Sequence, residues 1–142
     1  MSRLALSTSW NIARHKDAQS LIQEIKLIGF NRLELNFTLT KEMVEGAALL
    51  QKKGEIEVAS LHNYCPIPDG LTPKIALPDY YSLASLDESE RKEAVKNTKV
   101  TIDTAKRLNA RVVVFHAGRV QMPDRTVDLI KLYSVGKKDE PA

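Results

Sequence analysis

The stretch Arg111-Val112-Val113-Val114-Phe115-His116-Ala117-Gly118 constrains the fold more than any other part of the chain. β-Branched and aromatic side chains run without alternation into a histidine and a small-residue turn, as in a parallel strand buried on both faces. The run Ile56-Glu57-Val58-Ala59-Ser60-Leu61-His62 has the same design. Two strands that each stop on a histidine predict a site at one end of a parallel sheet.

The segments between these strands read as helices. Asp17 suits an N-cap, and Ala18, Leu21, Ile22, Ile25 and Ile28 recur at spacings of three and four before Gly29, which can close the helix in a left-handed turn. Thr40 can cap a second helix with a stripe of Met43, Val44, Ala47 and Leu50, ending at Gly54. Asp87 followed by Glu90 resembles a capping box, and the third helix runs to about Leu108, burying Val95, Thr98, Ile102 and Ala105. Asp124 can cap a last helix through Val127, Ile130 and Leu132 or Tyr133, before a polar tail over 134–142. Parallel strands are expected near 3–8, 32–37, 56–62 and 111–116. The 63–86 segment carries Pro66, Pro68, Pro73, Pro78 and Gly70, which exclude a long regular element; a loop this long inside a compact domain is more often functional than idle.

The helix-to-strand joints form a weak internal repeat. Gly29, Gly54 and Asn109 precede the polar strand-end residues Asn36, His62 and His116 by seven or eight positions. Four βα units therefore fill the 142 residues as one α/β domain. A complete eightfold barrel needs about 250 residues, so 1–142 is expected to be the N-terminal half of one, a fragment. The runner-up architecture is a doubly wound open sheet, with helices on both faces.

Composition narrows the function classes. The net charge of +3 comes from interspersed Lys, Arg, Asp and Glu, with no block of like charge to bind nucleic acid. A single cysteine, Cys65, excludes an internal disulfide framework, and no apolar run approaches the roughly 20 residues of a membrane span. With no cleavable leader visible, a cytoplasmic setting is expected. The glycine patterns of dinucleotide sites, phosphate-binding loops and nucleophile elbows are absent.

An unpaired polar group at a buried strand end costs about 1–3 kcal/mol, so His62 and His116 need a partner. A shared metal ion is one candidate, since zinc and similar ions accept neutral imidazole nitrogens; separate hydrogen bonds to neighbouring loops are the other. Glu34 lies within strand two. Facing inward it could orient a histidine or move a proton; facing outward it would pair with Arg32 or a helix lysine. Cys65 is a soft ligand or a small core residue, His15 a solvated loop residue. Arg119, just past the His116 turn, is placed to meet a phosphate or carboxylate, and Trp10 and Tyr64 offer flat apolar walls.

Taken together, Trp10-Asn11, Gly29-Phe30-Asn31-Arg32-Leu33-Glu34-Leu35, Ser60-Leu61-His62-Asn63-Tyr64-Cys65-Pro66 and Val113-Val114-Phe115-His116-Ala117-Gly118 resemble the N-terminal half of the xylose isomerase-like TIM barrels. The family includes sugar-phosphate isomerases and epimerases and the endonuclease IV type of abasic-site nuclease. The resemblance implies a divalent metal, zinc or manganese, bound in part by His62 and His116, with further carboxylate or histidine ligands from strands that this sequence does not include. It implies a metal-dependent sugar or sugar-phosphate isomerase or epimerase, inactive as the fragment alone. Beside such a metal, the residues themselves make Glu34 the catalytic candidate and Trp10, Asn36, Asn63 and Arg119 the candidates to bind a carbohydrate. Two alternatives stand beside it. One is a zinc-dependent abasic-site endonuclease-like hydrolase; the other is a non-catalytic half-barrel that assembles with a partner or a second copy through its open sheet edges.

Overall fold

The computed structural model describes residues 4–117, 125–137 and 139. Arg119 and Asp124, assigned roles above, lie outside the described residues. The element order is β1 (Leu6–Ser7), α1 (Ala18–Leu27), β2 (Arg32–Leu35), α2 (Lys41–Lys52), β3 (Glu57–His62), α3 (Glu88–Arg107), β4 (Val112–Val114) and α4 (Thr126–Ser134), with two 3-10 turns between β1 and α1. The four strands pair in parallel in the order β1-β2-β3-β4. Parallel crossovers are almost always right-handed, so an order that never reverses puts the connecting helices on one side of the sheet. That is a barrel segment and not a doubly wound sheet.

Local chemistry explains the helices. The Asp17 carboxylate accepts from the Ser20 amide at 2.8 Å and starts α1, and Thr40 accepts from the Met43 amide to start α2. The predicted stripes of α1 and α2 are buried with Leu33, Leu35, Val58 and Leu61 of the sheet. Ile28 is the exception: it falls just past the last turn of α1 and is exposed. Where the two helices meet, a Cβ on Gly46 would stand 2.6 Å from that of Ala18.

The α3 stripe differs from expectation. Ala105 is buried as predicted, but Val95 and Ile102 are 43% and 47% exposed, and Ala94, Thr101 and Thr104 face the core in their place. The threonines can be buried because their hydroxyls bond helix carbonyls four residues back, Thr101 to Asn97 and Thr104 to Val100. The Thr101 hydroxyl also accepts from the Cys65 amide at 3.0 Å. At the start of α3, Asp87 accepts from the Ser89 and Glu90 amides, but Glu90 does not return to Asp87 as in a capping box. Its carboxylate instead binds the Ser82 amide and the Ser85 hydroxyl, tying the proline-rich loop to the helix.

The two outer strands are shorter than predicted. β4 pairs with β3 only over Val112–Val114, and Val112 is 53% exposed, so this strand is not covered on both faces by the described residues. α4 buries none of its residues; Val127, Ile130 and Tyr133 are all exposed. No described helix is long and apolar enough to cross a membrane.

Candidate metal centre

Strand register decides which side chains meet. Leu33 and Leu35 of β2 point into the helix layer, so the residue between them, Glu34, points to the inner face. There it pairs with Ser60, whose hydroxyl donates to Glu34 Oε2 at 2.9 Å. The outward alternative is therefore set aside; Arg32 instead donates to Glu57 at 3.0 Å.

His62 closes β3 on the same face as Ser60, opposite Val114, and His116 follows at the end of the β4 segment. The two imidazole rings stand 5.2 Å apart between centroids, inclined by 38°. His62 Nε2 is buried and has no hydrogen-bond partner among the described residues. Burial holds the His62 ring below its ordinary proton affinity; Glu34 pulls in the opposite direction and His116 adds to the lowering. A neutral imidazole with an unengaged nitrogen is the form that ligates a metal, so the pair fits part of a divalent-ion site. No group of three or more His, Cys, Asp or Glu that could hold a metal occurs among the described residues.

A family model described as xylose isomerase-like TIM barrel matches residues 22–135. The chain belongs to this family. No curated protein and no solved structure matches it. For a xylose isomerase-like barrel, the rim at the strand C-termini is where a substrate pocket is built, and His62 and His116 occupy it.

The other predicted residues stand differently. Trp10 ends a 3-10 turn after β1, 45% exposed, with the Arg14 guanidinium 4.7 Å from its ring centroid. Asn36 is buried in its own turn: its carbonyl oxygen accepts from the Phe37 amide and its Nδ2 donates to Thr38. Asn63 is buried too, donating from Nδ2 to Thr98 on α3, while its Oδ1 finds no partner among the described residues. The Tyr64 hydroxyl donates to the Tyr81 carbonyl at 2.6 Å, and burial pushes it up to about 12. Cys65 is fully buried, and burial raises its thiol well above the ordinary range, as in a core cysteine.

His15 departs from the solvated residue expected: its ring bonds the Glu24 carboxylate, which also takes Asn11 Nδ2 and Arg14 at 3.0 Å. These partners, His15 first, hold Glu24 down to about 2. Two residues of the rim had no signal in the spacing pattern. Phe37 packs edge-on against His62 at 5.2 Å, and Ser60 holds Glu34. The polar serine between Ala59 and Leu61 was the available clue to the second.

Proposed function

We propose that this chain contributes the first four βα units of a metal-dependent isomerase or epimerase acting on a sugar or sugar phosphate. The observation that carries the reading is the convergence of His62 and His116 at one rim, with an unengaged nitrogen on His62, near an inward carboxylate, Glu34. His62 and His116 would hold part of a zinc or manganese ion, which would supply Lewis-acid polarisation of substrate oxygens. The side chains do the rest. Glu34 would accept a proton from the substrate carbon beside the carbonyl and deliver it to the neighbouring carbon of the resulting enediol; in an epimerase, a carboxylate from the remaining strands would deliver a proton to the opposite face. Phe37 walls the His62 ring on one side and excludes water there. Trp10 and Arg119 supply further contacts to the carbohydrate, and Asn36 and Asn63 shape the turns that follow β2 and β3.

The remaining ligands would come from strands that complete the barrel, either further along a longer chain or from a partner at the outer edges of β1 and β4, which pair with no other described strand. Calorimetric titration with zinc and manganese tests the metal assignment: the wild type binds, and the His62→Ala, His116→Ala double variant does not. Equal affinities overturn it. For the substrate class, in the completed barrel, solvent deuterium entering a ketose or ketose phosphate beside its carbonyl, and absent with Glu34→Gln, supports the isomerase. Cleavage of an abasic-site duplex without sugar exchange replaces it with the hydrolase.

A further inference from the structure

The β3 strand cannot place His62 by simple alternation. Val58 pairs with Leu33 and points into the helix core, so a regular strand would send Ser60 and His62 to that side as well. The register shift prevents this. Leu33 opposes Val58, but the next residue, Glu34, opposes Ser60, so Ala59 is an extra residue in β3. From there on the strand is turned over: Leu61 is buried with the helices, while Ser60 and His62 face inward. Such bulges re-aim side chains and recur next to active sites.

A bulge is also a place where a strand can slip, because moving it by one residue exchanges the faces of everything beyond it. One side-chain bond spans β2 and β3 directly after it, from the Ser60 hydroxyl to Glu34 Oε2 at 2.9 Å. We propose that Ser60 is a positioning residue: by binding Glu34 just past the Ala59 bulge, it locks the register that turns His62 toward His116. The inference rests on the reading that these two histidines bind the metal, and adds what holds them in place. Serine is not among the β-branched and aromatic residues that strands favour, and its presence between Ala59 and Leu61 is accounted for by this bond.

The test compares wild type, Ser60→Ala, Ser60→Thr, Glu34→Ala and the Ser60→Ala, Glu34→Ala double variant. Two quantities are read: zinc affinity, and the nuclear Overhauser contact between the His62 and His116 rings without metal. Ser60→Ala is expected to weaken zinc binding about tenfold, the scale on which a ligand loses affinity when the groups that orient it are removed, and to weaken the ring contact. Ser60→Thr, which keeps the hydroxyl, restores both. The double variant is no weaker than the weaker single variant, because the two residues act through one bond. Wild-type affinity and an intact ring contact in Ser60→Ala, with zinc binding still lost in His62→Ala, overturn this inference and leave the metal site standing. Absence of histidine-dependent zinc binding in the wild type overturns the metal site itself.

Discussion

At the scale of single residues, the contacts make sharp demands. The Gly46 position sits against Ala18, and an added methyl group would stand 2.6 Å from the Ala18 Cβ, closer than atoms pack. Gly46→Ala is expected to destabilise the chain by about 1–3 kcal/mol through forced separation of α1 and α2, measured by urea unfolding. Glu24 makes a pH-dependent demand. Its folded carboxyl is held down to about 2 by His15, Asn11 and Arg14, below its ordinary value of 4.5. A depressed acid contributes stability that is fully present above its unfolded value and lost as pH falls through the folded one. The melting temperature of wild type should therefore exceed that of Glu24→Gln at pH 6, and the gap should close between about pH 4.5 and 2. A gap independent of pH would contradict the assignment.

At the scale of elements, most of the fold was legible and two features were not. Caps and apolar stripes identified α1 and α2 because their buried faces are built from aliphatic side chains, whose spacing carries the signal. In α3 the same rule pointed to Val95 and Ile102, and the structure buries threonines instead. A hydroxyl that bonds its own helix behaves as a small core residue, and hydropathy does not register that. The consequence is testable. Thr101→Val keeps the shape but leaves the Cys65 amide unpaired, and should cost about 1–3 kcal/mol by thermal or urea unfolding, despite adding an apolar methyl. The second hidden feature is the bulge in β3, since a register shift is a relation between two strands and has no signature in either one. His62 at the end of β3 and His116 just past β4 were visible in the sequence; the Ser60–Glu34 bond and the edge-on Phe37 that surround them were not.

At the scale of the whole molecule, the described residues form four parallel strands whose outer edges, on β1 and β4, pair with nothing else described. Unpaired edges and exposed apolar side chains such as Val112 and Phe115 favour association. Sedimentation velocity of this chain is expected to show concentration-dependent assembly, reduced by Val112→Lys, and a monomer at all concentrations would count against an edge-mediated partner. The family assignment and the sheet order fix the architecture, but the chemistry depends on one meeting point at the rim. The most direct test is a zinc titration followed at the imidazole nitrogens by nuclear magnetic resonance. The account predicts that the His62 and His116 signals move together over the same range of zinc concentration while His15 stays in place; movement of only one, or of neither, would contradict it.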